Sequence, residues 1–206
     1  MILYSSIICI TAFFMGSVPT GYLVARTKGI NIKSVGSGNI GATNVTRAMG
    51  KGWGAIVLVV DALKGFIPVL FVKLYFTSLP QTDLYVLMTI SGVCAVAGHV
   101  FTPFLGFKGG KGIATTLGML LALNYLFAFL VILVWLLLFL FTRVSSVGAL
   151  SAALSMPVIA FFLFHHKPVF FIMMTFACFM TLFIFFTHRE NIQRLYRGEE
   201  KAFKKK

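Results

Sequence analysis

The stretch Gly106-Phe-Lys-Gly-Gly-Lys-Gly-Ile-Ala-Thr-Thr116 sets Gly109, Gly110 and Gly112 around Lys108 and Lys111, and an apolar run begins straight after it. Glycine lets backbone N–H groups come close to an oxyanion, a helix N-terminus adds partial positive charge, and lysine adds a full one. These are the parts of a phosphate cradle. It is not a Walker A loop, because Lys111 is followed by Gly112 where a Ser or Thr would hold magnesium. On this reading Gly110→Ala or Gly112→Ala chiefly weakens binding of a phosphate. His99 stands just ahead of the stretch.

Two further segments carry polar chemistry. Gly36-Ser-Gly-Asn-Ile-Gly-Ala-Thr-Asn-Val-Thr-Arg47 contains Gly36-x-Gly38-x-x-Gly41, which mimics a dinucleotide fingerprint. That fingerprint needs a preceding strand and a βαβ unit, and here apolar runs flank it, so the dinucleotide reading fails. What remains is a flexible loop offering Ser37, Asn39, Thr43 and Asn44 as hydrogen-bonders and Arg47 as a bidentate anion fork. The other segment, His188-Arg-Glu-Asn-Ile-Gln-Arg-Leu-Tyr-Arg-Gly-Glu-Glu200, follows the last apolar run. Basic residues there are ordinary topology anchors, as are Lys204–Lys206, but His188 and Asn191 serve no such purpose. Asp61 and Lys64 stand three apart inside an apolar run. Charges in a membrane are rare and suspect, and this pair reads as a mutually neutralising, structural one.

The elements that must position these residues are membrane helices. Of 206 residues, 59% are apolar and only 11% charged, with a mean hydropathy of +0.95. A soluble domain carries about a quarter charged residues. The expected fold is all-α: a polytopic helical bundle forming one membrane domain over 1–206. Seven spans are expected, at 2–25 (bent by Gly16, Pro19 and Gly21), 53–76, 84–100, a split pair over 113–141, 147–164 and 169–187. The split falls at Asn124, because 113–141 is longer than one span and shorter than two. The opening Met1-Ile-Leu-Tyr lacks a basic n-region and reads as a retained span, not a cleaved signal. Cys9, Cys94 and Cys178 lie in apolar runs with neither disulfide nor metal spacing. No metal or cofactor is expected.

With seven spans, fifteen Lys and Arg fall on one face and only Lys167 on the other, with Lys64 and Lys73 within a span. The positive-inside rule then puts the N-terminus outside and the C-terminus in the cytoplasm. The net charge of +13 is thus a topology signal, and no nucleic-acid partner is expected. All three polar segments share the cytoplasmic face.

Taken together, 36–47, Gly98-His99 through 107–115, and 188–200 resemble the three cytoplasmic motifs of the bacterial acyl-phosphate:glycerol-3-phosphate acyltransferases. Gly16-Ser-Val-Pro-Thr-Gly-Tyr-Leu-Val-Ala-Arg26 and Asp61-Ala-Leu-Lys-Gly65 also match stretches typical of that family, so the likeness covers nearly the whole chain in order. The resemblance implies a seven-span enzyme of the bacterial inner membrane with its site facing the cytoplasm. Its reaction transfers a fatty acyl group from acyl phosphate to the 1-hydroxyl of glycerol 3-phosphate, giving lysophosphatidic acid in the first step of phospholipid synthesis. It implies that Ser37 and Arg47 are essential, that Gly109, Gly110 and Gly112 hold the glycerol phosphate, and that His188 and Asn191 belong to the active site. Glu200, aligned with the third motif's acid and with Glu199 as the alternative, supports the structure. Gly36, Gly38, Asn39, Thr43, Asn44, His99 and Lys108 join the substrate-binding set, and Lys111 the catalytic one. Two departures stand out: Thr102 precedes Pro103 where the family has Pro three residues after its His, and Lys201 is shifted in the third motif.

An acyl phosphate is already activated, so no covalent acyl-enzyme is needed. The chain has no Ser-His-Asp or Cys-His arrangement to suggest one. The hydroxyl proton has His99, His188, Asp61 or a substrate phosphate oxygen as acceptor, and the substrate oxygen is favoured. A transporter for a phosphorylated solute is the rival reading, against which stand the absence of an inverted repeat and the gathering of polar groups on one face. Acyltransferases using acyl-CoA typically carry His-x-x-x-x-Asp, and no His here has Asp five residues on.

Overall fold

A computed structural model describes residues 2–203; Met1 and Lys204–Lys206, the latter read above as an anchor, lie outside the described residues. The described residues form helices joined by turns, with no strand among them. The helices are α1 (Ile2–Ser17), α2 (Thr20–Arg26), α3 (Ala42–Met49), α4 (Lys51–Tyr75), α5 (Gln81–Val100), α6 (Ile113–Leu123), α7 (Tyr125–Thr142), α8 (Ser145–Phe164), α9 (Phe170–Thr187) and α10 (Arg189–Tyr196). Among the described residues, six stretches are long and apolar enough to cross a membrane, α1 and α2 counting together as the first. Helix α6, with 11 residues, falls short of that length.

Small residues let the helices approach closely, which is how membrane helices associate without a hydrophobic drive between them. A methyl on Gly16 would meet the Ala95 backbone, and one on Gly98 the Phe13 backbone, so α1 and α5 touch main chain to main chain. Gly65 and Gly118 do the same for α4 and α6, against Thr115 and Ala62. The contact at Gly65 sets the depth of α6. Its N-terminus begins roughly 20 Å along α4 from Lys51 at 1.5 Å per residue. Met119, Leu120 and Leu123 of α6 are buried in one core with Phe127 of α7, Met156 of α8 and Met173 of α9.

Interruptions in these helices leave carbonyls that lipid cannot satisfy, and long-range side chains satisfy them. The expected bend in the first span is a break at Val18–Pro19. There Lys64 donates to the Val18 carbonyl at 2.6 Å while paired with Asp61, and Thr102 donates to the Ser17 carbonyl at 2.6 Å. The departure at Thr102 thus has its own local use. Pro157 cannot donate to the Ala153 carbonyl, and Thr181 of α9 does so at 2.7 Å. Lys73 reaches the Ala122 carbonyl at the end of α6 at 2.9 Å.

The split at Asn124 occurs as the sequence suggests. Asn124 is the N-cap of α7, its Oδ1 accepting from the Phe127 N–H at 2.9 Å. Asn124→Ala should cost about 1 kcal/mol, read as a lowered thermal midpoint in detergent with activity retained at low temperature. An unchanged midpoint would show that packing alone holds the α6–α7 corner.

Candidate active site

The lysine-glycine stretch folds back onto the end of α5. Gly109 donates its N–H to the Val100 carbonyl at 2.9 Å and Gly110 to the His99 carbonyl at 3.0 Å. These are carbonyls that a helix C-terminus leaves without partners. The two amides expected to grip a phosphate are therefore engaged in capping α5. Gly110 is glycine because the His99 ring occupies the place its Cβ would take. Lys108 is exposed and lies outside the cavity wall. None of these three residues is part of the cavity wall. Gly112 keeps a place in it: at φ +83° it is the N-cap of α6 and lines the cavity beside Ile113 and Ala114.

Lys111 turns inward, its Nζ bonded to the Asn191 Oδ1 and its carbonyl accepting from Thr187 Oγ at 3.1 Å. Burial, helped by the Arg194 charge, lowers its ammonium from 10.5 to about 8 against the pull of Glu200 and Glu190.

The first polar segment is built around Asn44. Its Nδ2 donates to the Val35 and Asn39 carbonyls at 2.9 Å each, and its Oδ1 accepts from the Ser37 N–H at 3.0 Å. Asn44 lines the cavity, and its side-chain groups are bonded to the loop. Gly36, at φ +64°, also approaches this side chain so closely that a methyl would strike the Asn44 Oδ1. Asn39 Oδ1 accepts from the Gly41 N–H at 2.7 Å, and Thr43 Oγ faces Ser145 Oγ at 3.4 Å. Gly38, at φ +71°, serves the turn and lies off the cavity wall. Ser37 and Arg47 line the cavity. Arg47 extends from α3, and its Nη2 donates to the Lys201 carbonyl at 2.8 Å. Partial burial lowers its pKa while Glu200 counters.

In the third segment Glu200, not Glu199, enters the network. It accepts from Ser146 Oγ at 2.7 Å, from Arg194 Nε at 2.7 Å and from Asn191 Nδ2. Burial works to raise its carboxyl, but these donors together hold it below its ordinary range. His188 is buried, its Nδ1 at 2.9 Å from the Ile184 carbonyl. Burial, aided by the Lys111 charge, pushes its pKa down to about 4. A neutral ring donating from Nδ1 to that carbonyl presents Nε2 as an acceptor.

One cavity of about 460 Å³ joins all of this. Its polar end carries Ser37, Arg47, Lys111, His188, Asn191 and the α6 N-terminus; its apolar end is walled by Leu120, Val131, Trp135, Ala149, Ala153 and Met156. Asp61 and His99 also line it, with His99 Nδ1 3.8 Å from the Asp61 carboxylate. Ser146, Arg194 and Lys201 belong to the wall too, outside the site set that the sequence suggests. By residue type Arg194 is one more basic residue after the last span, Lys201 is the shifted lysine of the third motif, and Ser146 belongs to no motif. The cavity can hold an anion at one end and an aliphatic chain at the other.

The family model described as glycerol-3-phosphate acyltransferase matches residues 6–198. The Aquifex aeolicus glycerol-3-phosphate acyltransferase is 42% identical over 194 residues, 94% of this chain and 96% of its own. The enzyme of that name from Wolbachia pipientis subsp. Culex pipiens is 43% identical over 197 residues, 96% and 97% of the two chains. A solved structure of PlsY (YgiH), an integral membrane glycerol 3-phosphate acyltransferase in its glycerol 3-phosphate form, superposes with a TM-score of 0.86 at 41% identity, covering 98% of this chain and 96% of that one. The lysophosphatidic acid form gives 0.83 with the same coverage.

Proposed function

Because the chain belongs to the glycerol-3-phosphate acyltransferase family, we propose that it transfers a fatty acyl group from acyl phosphate to the 1-hydroxyl of glycerol 3-phosphate, giving lysophosphatidic acid. The observation that carries this is a cavity with Arg47, Lys111 and the α6 N-terminus at one end and an aliphatic wall at the other. Such a cavity suits two phosphates side by side with an acyl chain running away from them. The related PlsY structures, in glycerol 3-phosphate and lysophosphatidic acid forms, support the same acceptor and product here.

The acceptor hydroxyl oxygen attacks the acyl carbonyl carbon, the carbon–oxygen bond to phosphate breaks, and inorganic phosphate leaves with the bond's electron pair. The hydroxyl proton passes to a phosphate oxygen of the substrate. Ser37 and neutral His188 orient the hydroxyl. Arg47, Lys111 and the first amides of α6 hold the acceptor phosphate and meet the charge on the departing one beside it. Holding the two reactants in attack geometry supplies about 7–11 kcal/mol of the barrier. Asn191 and Glu200 keep Lys111 and Arg194 in place. The test is direct: purified protein with glycerol 3-phosphate and either acyl phosphate or acyl-CoA. Product from acyl-CoA alone would overturn the donor assignment.

Titration of Lys111 gives this scheme a pH signature. A lysine lowered to about 8 is charged below that value and neutral above it, so anion binding weakens as pH rises through 8. We expect kcat/KM, which reports the free enzyme, to fall above pH 8. Lys111→Arg, which does not titrate in this range, should remove that limb. His188, at about 4, adds no limb between pH 5 and 8. A limb that persists in the arginine variant would remove Lys111 from the role.

The proposed topology is seven spans in the bacterial inner membrane, with the half-length α6 counted among them, the N-terminus outside and the site opening to the cytoplasm. It rests on the fifteen-to-one distribution of basic residues and the positive-inside rule. A C-terminal reporter should be active only in the cytoplasm; activity only outside would reverse the topology.

A further inference from the structure

After α10 the chain returns across the polar mouth of the cavity. The Glu199 N–H donates to the Arg194 carbonyl at 2.8 Å, Lys201 Nζ to the Gly36 carbonyl at 3.3 Å, and the Phe203 N–H to the Arg143 carbonyl at 2.9 Å. This strap ties together the first polar segment, the α7–α8 corner and α10. The Phe203 ring stands edge-on to Phe139 at 5.7 Å, and the Arg47 guanidinium carbon lies 4.8 Å from the centre of its face.

We propose that Phe203 is a positioning residue that sets the plane of the Arg47 guanidinium for the acceptor phosphate. This rests on the reading of Arg47 as a phosphate ligand given above. A guanidinium binds an anion through N–H groups in its own plane and an aromatic ring through its face. The two uses do not compete. One donor, on Nη2, is taken by the Lys201 carbonyl, which fixes a single edge. The ring fixes the remaining rotation without consuming any of the other four donors. A free arginine side chain carries large rotamer entropy, so an unclamped Arg47 must be ordered at the moment of binding. The strap itself does not depend on the ring. Its tie at Phe203 runs through the main-chain N–H, Lys201 holds by its Nζ and its carbonyl, and Glu200 is bonded to Ser146 and Arg194.

The experiment is direct calorimetric binding of glycerol 3-phosphate to the full chain in detergent, comparing wild type, Phe203→Ala, Phe203→Trp, Arg47→Ala and the double variant Arg47→Ala/Phe203→Ala, with thermal midpoints alongside. Binding of the acceptor does not depend on which acyl donor is used, so a wrong donor leaves this readout intact. Phe203→Ala should weaken binding by about fivefold to twentyfold with the midpoint unchanged. Phe203→Trp, which keeps a ring face, should bind within about twofold of wild type. In the Arg47→Ala background the loss of Phe203 should add nothing further, because both changes remove one interaction. Wild-type binding by Phe203→Ala, or losses that multiply in the double variant, would overturn the proposal. Unchanged binding by Arg47→Ala would overturn it as well, and separately remove Arg47 from the acceptor site.

Discussion

Arg47→Ala should lower kcat about 10²–10³-fold, the scale of a lost oxyanion donor, and raise the KM for glycerol 3-phosphate. The guanidinium lines the polar end of the cavity, anchored by the Lys201 carbonyl. Part of its interaction is with phosphate charge present in the ground state, which appears in KM. Part is with charge that grows as the leaving phosphate separates, which appears in kcat. Water cannot replace a charge-assisted fork at equal strength. Arg47→Lys should recover only a fraction, because an ammonium is a point charge without the fork or the flat face. Lys108→Ala is the matched control. It removes a positive charge from the same stretch as Lys111, but Lys108 lies outside the cavity wall, so its kinetics should stay within about twofold of wild type on the scale of an exposed charge. Steady-state rates on matched amounts of folded protein decide the matter. Near-full activity of Arg47→Ala would remove it from the chemistry.

Gly110→Ala is expected to do more than weaken phosphate binding. The added methyl would strike the His99 ring, and the Gly110 N–H is bonded to the His99 carbonyl. His99 has nowhere to retreat, being buried against Asp61, which in turn pairs with Lys64. Overpacking of this kind costs about 1–3 kcal/mol. A shift of about 1 Å in the residues that orient substrate costs about 10²-fold in rate. We expect both a lowered thermal midpoint and a kcat loss on that order. Gly112→Ala differs. Its neighbours are the Val96 and Val100 side chains, and its φ of +83° is strained for any residue with a Cβ by about 1–2 kcal/mol. The substitution should move the N-terminus of α6 and appear mainly as a raised KM for glycerol 3-phosphate. If Gly110→Ala raised KM alone, with stability and kcat intact, its amide would have to face the substrate after all.

By itself the sequence determined the class of protein and the three polar segments that meet at the cavity. Apolar run lengths mark the helices. Asn124 marks the corner between α6 and α7, because its side chain caps the helix that follows it three residues on. The three polar segments and their order are visible in residue type alone, since Gly, Asn, His and Lys are out of place beside membrane spans. These are features carried by neighbours in the chain. Only the tertiary structure decided which polar residues face the cavity. Lys108 and Lys111 are equivalent by type and spacing, yet one is exposed and the other is bonded to Asn191. The glycines of that stretch look alike, yet Gly109 and Gly110 cap α5 while Gly112 opens α6. Asn44 has the hydrogen-bonding groups of a ligand binder, and the loop it closes uses them. Glu199 and Glu200 differ by one position, and the donors on α8 and α10 select the second. Lys111 meets its partner Asn191 80 positions away, and Glu200 meets Ser146 54 positions away. The partners of Gly109, Gly110 and Asn44 are nearer in the chain, but the chain must fold back on itself to reach them, and local propensity holds no record of either distance.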